Sequence, residues 1–134
     1  MSNQMQPQNQ KELELVMARN EQQLEQMNTA IELAKNLQQL GPMVADFSNL
    51  VINLRTASYA FLEQRDTKAD RQDRRRFAAQ LLDKQLDRLH ALHERLMDQL
   101  QAAPEGPTKD RYLTELRQSM TEANSLLDKL IGEL

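Results

Sequence analysis

From Met43 to Ala103 the chain contains neither Gly nor Pro, and one heptad frame runs through the whole stretch. Its positions are Phe47, Val51, Leu54, Ser58, Phe61, Arg65, Lys68, Gln72, Arg75, Ala79, Leu82, Leu86, Leu89, His93, Leu96, Leu100 and Ala103. The steps alternate between four and three residues without a slip. That spacing returns side chains to one side of an α-helix, and such a stripe packs on another helix. A strand, whose side chains alternate with period two, cannot use this pattern. The chain is therefore expected to be all-α.

The flanking segments repeat the pattern. Leu13, Met17, Asn20, Leu24, Met27, Ile31 and Ala34 predict a first helix over about 11–40. Gly41-Pro42 is expected to end it, because Gly suits the left-handed position after a helix and Pro cannot continue the ladder. Asn20 lies in the stripe, where it either fixes register or marks a wet helix end. The run AAPEGP at 102–107 ends the central segment. A last helix over about 108–133 then starts with Thr108 as N-cap and Asp110 in its first turn. Its stripe is Leu113, Leu116, Met120, Ala123, Leu127, Leu130 and Leu134, which implies a docked C-terminus. Residues 1–10, MSNQMQPQNQ, carry too little apolar surface to offset the entropy of ordering and read as a disordered tail. The rest, 11–134, reads as a single helical domain.

The middle of the long segment is ambiguous. At 63–76 the stripe positions become Arg65, Lys68, Gln72 and Arg75, which cannot make a dry seam. The preserved phase favours one continuous helix over 43–103, about 90 Å long. Thr67-x-x-Asp70 resembles a capping box, and a break at 64–70 would let the same sequence close into four helices. In either case the outer helices fold back, antiparallel, on the central segment as a helical bundle or coiled coil.

Phe47 to Leu62 is the most apolar part of the chain. One face carries Phe47, Leu50, Val51, Leu54, Phe61 and Leu62, and a second carries Ile52 and Tyr59. A helix that is apolar on two sides tends to be covered on two sides. This segment is expected at the centre of the bundle or in a subunit interface. Aromatics make up only 4% of the chain, so Leu and Met must fill the core. Small and elongated helical domains bury a small share of their surface. Self-association is the usual remedy, and a homo-oligomer or another helical partner is expected.

Chemistry is less visible. The chain has no Cys, which removes disulfides, thiolate catalysis and Cys-ligated zinc, and fits a reducing cytoplasm. No signal-peptide layout and no run near ~18 apolar residues occurs, so no membrane span is expected. The three Gly residues are isolated and form no phosphate loop. His90 and His93 are the only histidines. Asp87-x-x-His90 resembles half of a di-iron bundle motif, but no second histidine motif exists to complete it. No metal, cofactor or catalytic residue is assigned, and the chain reads as a non-enzyme. His93 falls in the Leu seam, as an interface histidine or a pH-sensitive one.

Arg71, Arg74, Arg75 and Arg76 form the only basic cluster. Guanidinium groups suit phosphates and carboxylates. Six positive and four negative charges leave only +2 over 63–76, against −3 for the whole chain. An internally paired, solvated face is therefore the plainer reading. The sequence thus points to a helical protein-protein interaction module: an oligomeric scaffold, adaptor or small chaperone. Its contact residues are expected to be Phe47, Val51, Leu54, Phe61, Leu82, Leu86, Leu89, His93, Leu96 and Leu100. Nucleic-acid contact through the four arginines is the alternative.

Overall fold

A computed structural model describes residues 7–63 and 68–132, with the backbone alone at 68 and 69. It is all-helical: α1 Gln10–Leu33, α2 Leu37–Glu63, α3 Lys68–Ala102 and α4 Pro107–Gly132, packed against one another. Cross-helix contacts give the directions. Along α1, Met17, Glu21, Asn28 and Glu32 meet Gln85, Arg88 and Arg95 in rising order, so α1 and α3 run parallel. Gly41 meets Tyr112 and Ser48 meets Ser119, so α2 and α4 also run parallel. Phe47 faces His93 and Phe61 faces Phe77, so α2 and α3 are antiparallel. Both α1 and α4 pack on α2 and on α3, while among the described residues α1 and α4 do not touch. The α2–α3 pair is thus a shared hairpin with one outer helix laid along each side.

The continuous central helix is not what forms. The Phe61 and Phe77 rings are 5.9 Å apart, and Arg74 Nη1 donates to the Phe61 carbonyl at 3.0 Å. In one straight helix sixteen residues span about 24 Å. The chain therefore reverses between α2 and α3. Residues 64–67, with Thr67 of the expected capping box, lie outside those described. The sequence supplies the physical reason: a stripe of Arg, Lys and Gln cannot make a dry seam, whereas folding back covers Phe61, Leu82 and Leu89 completely.

The first boundary is also shifted. α1 ends at Leu33, not near 40, and Ala34 takes an extended backbone. Asn36 caps α2, its Oδ1 accepting from Gln39 N at 3.0 Å, while Gln39 Oε1 accepts from Lys35 N at 2.6 Å. Asn36-x-x-Gln39 is the capping signature, and it starts the helix ahead of Gly41-Pro42. Pro42 then sits inside α2 on its exposed side. It removes one ladder donor, towards Gln38, and Gln38 is exposed enough for water to replace it. Gly41 serves close approach rather than chain reversal. A Cβ built there would lie 2.5 Å from the Tyr112 hydroxyl.

The same cap chemistry orders part of the expected tail. Asn9 Oδ1 accepts from Glu12 N at 2.9 Å, and Glu12 Oε2 accepts from Gln8 N at 2.8 Å. Pro7 is buried. Residues 7–9 are therefore held at the start of α1, with Asn9 as its N-cap and Gln10 its first residue, and 1–6 lie outside the described residues. α4 begins at Pro107, one residue before the expected start, where a missing N–H costs nothing. Its expected stripe residue Leu134 also lies outside the described residues.

The core follows the heptads. Leu13, Met17, Leu24, Met27 and Ile31 of α1 are buried with Phe47, Val51, Leu54 and Phe61 of α2. Leu82, Leu86, Leu89, Leu96 and Leu100 of α3 are buried in the same core with Leu116, Met120, Ala123 and Leu130 of α4.

Candidate functional site

The sequence-predicted contact residues are placed inside this chain. Phe47, Val51, Leu54, Phe61, Leu82, Leu86, Leu89, Leu96 and Leu100 are all buried without a second chain, and His93 is half-buried against Phe47. They form contacts between helices of one protein, so a docked partner must meet other residues. Polar groups enter the same core. Asn20, Ser58 and Gln85 are buried. Gln85 Nε2 donates to Met17 O at 3.1 Å and Glu21 Oε1 at 3.3 Å. Asn20 Nδ2, Ser58 Oγ and Gln85 Oε1 have no partner. Such groups favour one register, because a shifted pairing would strand still more of them.

The four arginines separate. Arg74 turns inward. Its Nη1 donates to the carbonyls of Gln8 and Phe61, both at 3.0 Å, and its Nε to Asp70 Oδ2 at 3.3 Å. Its guanidinium carbon lies 4.6 Å from the centre of the Phe61 ring. Arg74 thus ties the start of α1 and the end of α2 to α3. Its position at the negative end of α2 also suits a cation. Arg71 and Arg76 are exposed, with Arg76 4.0 Å from Asp73, and Arg75 is half-buried. The structure does not gather the four side chains into one anion-binding surface.

A second cation escaped the sequence reading. Lys109 is buried, and its Nζ donates to the carbonyls of Gln101 and Ala103 at 2.9 and 3.0 Å and to Glu105 Oε1 at 2.8 Å. From the first turn of α4 it closes the carbonyl end of α3. A Lys following a Pro/Gly-rich link by two residues was the available signal. Lys109 also lines a cleft of about 710 Å³ between the α1–α2 and α3–α4 links. Its amine is already occupied by three oxygens, so it offers no free cation there.

The two histidines lie along the side of α3 that meets α4. His90 Nε2 donates to Asn124 Oδ1 at 3.1 Å. His93 Nε2 is buried and has no partner. Burial holds the His93 pKa below its ordinary 6.5, helped by His90 and Arg117 and opposed by Glu94. Among the described residues no group of three or more His, Asp or Glu could hold a metal ion. No helix there is long and apolar enough to cross a membrane.

The exterior is uneven. The α1–α3 side is laced with ion pairs: Arg88 with Glu21 and Glu25, and Arg95 with Glu32. The outer side of α2 is different. Gln38, Pro42, Ala45, Asn49, Ile52, Thr56, Tyr59 and Glu63 recur at alternating four- and three-residue steps, and all are exposed. No charge occurs on the stripe itself before Glu63, and the exposed Asp46 and Arg55 border it. Ile52 and Tyr59 remain 42% and 41% exposed. α2 thus carries two heptad stripes, one buried in the bundle and one uncovered. The chain matches no protein-family model, no curated protein and no solved structure.

Proposed function

We propose that this chain is a helical protein-protein interaction module that acts by contact, and that the outer stripe of α2 is its docking face for a second copy of itself. One observation carries the reading: a stripe uncharged from Gln38 to Tyr59, with Ile52 and Tyr59 uncovered, on a protein whose opposite side is ion-paired. A surface covering this stripe must not bring an unpaired charge, because burying one costs several kcal/mol. The same stripe on a second copy meets that condition along its length, with the exposed Asp46 and Arg55 at its margins as opposite charges for a self-complementary, two-fold contact. A scaffold or adaptor role fits such a dimer. Phosphate contact is the weaker reading, since Arg74 is engaged by backbone carbonyls.

The test is molar mass by light scattering at two concentrations, for the wild type and for Ile52→Asp. The reading expects a species above 15.5 kDa that grows with concentration. In Ile52→Asp it should fall to a helical monomer. A wild type that stays monomeric at high concentration, or an Ile52→Asp variant with unchanged mass, overturns it.

A further inference from the structure

We propose that His93 is a proton-sensitive contact in the α2–α3 seam: when it takes up a proton, Phe47 loses its packing surface and α2 loosens from α3. The geometry carries this independently of any docking partner. His93 occupies a heptad position between Leu89 and Leu96, both fully buried, and its ring lies 6.1 Å from that of Phe47. Its Nε2 is buried with no hydrogen-bond partner. In the neutral ring, with the proton on Nδ1, this is one unmade acceptor bond. In the protonated ring it becomes a charged donor with no acceptor, which is far more costly in an apolar seam.

The surroundings do not relieve that charge. α4 contributes Arg117, which repels it. α3 contributes Glu94, which attracts, and His90, which repels and is held by Asn124 of α4. From α2 the ring meets Phe47, and the neighbouring Asp46 is exposed in the groove between α1 and α2. α1 packs on the flank of α3 that carries Gln85, Arg88 and Arg95, and sends no charge towards His93. The ring therefore stays neutral in the fold at a pH where the unfolded chain protonates it. Unfolded molecules bind more protons as pH falls below the ordinary 6.5. The contribution is fully present above that value and is lost as pH falls towards the depressed folded pKa. Full protonation of the unfolded side chain limits the effect at pH 5 to about 30-fold in the unfolding equilibrium constant.

The experiment is urea unfolding between pH 7.5 and 5 for the wild type, His93→Leu, His93→Gln and His90→Gln, with the ring resonances of His93 and Phe47 followed in the wild type. The unfolding constant of the wild type should rise several-fold more than that of either His93 variant as pH falls. His90→Gln should keep most of the effect. The His93 resonance should titrate below 6.5 and carry the Phe47 ring signals with it. Equal pH profiles in wild type and both His93 variants overturn the proposal. A His93 that titrates at or above 6.5, or without moving Phe47, overturns it even if the variants fail to fold.

Discussion

Gly41→Ala is the substitution whose sign depends most on this packing. In an exposed helix interior the exchange should stabilise, because Ala exceeds Gly in helix propensity by about 1 kcal/mol. Here the new Cβ would lie 2.5 Å from the Tyr112 hydroxyl, 2.8 Å from Cζ and 3.2 Å from Cε2. Two of those distances are inside any tolerable contact, and the atoms belong to a rigid, half-buried ring. The ring must tilt or α4 must move from α2. Overpacking of this kind costs about 1–3 kcal/mol. Offset by the propensity gain, Gly41→Ala should destabilise by roughly 1 kcal/mol. With Tyr112→Ala the obstacle is gone, and the same change should stabilise by about 1 kcal/mol. Urea unfolding followed by circular dichroism measures all four members of the cycle, read as midpoint shifts at constant slope. Stabilisation by Gly41→Ala in the wild-type background, or strict additivity with Tyr112→Ala, would refute the α2–α4 contact and the parallel register derived from it.

Other substitutions should sort by partner rather than by charge. Arg74→Ala removes two charge-assisted bonds to backbone carbonyls and a cation–π contact. It should cost about 2 kcal/mol and speed amide exchange in the first turn of α1. Arg76→Ala, at an exposed 4.0 Å pair, should stay within about 0.5 kcal/mol in the same unfolding assay. Lys109→Met strands the carbonyls of Gln101 and Ala103 and should cost about 1–3 kcal/mol, with faster exchange in the last turn of α3. Leu89→Ala, fully buried in the seam, should cost about 2–5 kcal/mol by calorimetry without altering molar mass at any concentration where the protein remains folded.

Periodicity made most of the interior legible. The expected stripe residues of α1 from Leu13 to Ile31 are all buried, as are the Leu positions of α3 from Leu82 to Leu100. A heptad states which face is inside, but not which helix covers it. The same Leu seam can serve two chains or one, and the sequence reading gave it to a partner. The boundaries depended on competing local signals. Gly41-Pro42 was read as the stop and Asn36-x-x-Gln39 was missed, yet a cap with two hydrogen bonds outweighs one missing donor on a wet face. Arg74 and Lys109 were opaque for a different reason. Arg74 bonds to carbonyls 13 and 66 residues away, which no local pattern encodes, whereas Lys109 bonds to carbonyls 6 and 8 residues back across a Pro/Gly-rich link that was its only signal. The outer stripe of α2 was partly visible, since Ile52 and Tyr59 stood off the main seam. That it remains uncovered required the positions of α1 and α4.

The central claim is that α3 folds back on α2 within one chain. Because the chain has no Cys, spin labels can be placed at Asp46→Cys and Ala91→Cys, both exposed positions, with no background. Pulsed dipolar spectroscopy on this pair, diluted into excess unlabelled protein, separates contacts within a chain from those between chains. The hairpin predicts one distance near 20 Å, allowing for helix spacing and label arms, that survives dilution. A distance near 68 Å, expected for one straight helix through both sites, contradicts it. So does a short distance that vanishes on dilution, because the seam would then be made between two chains.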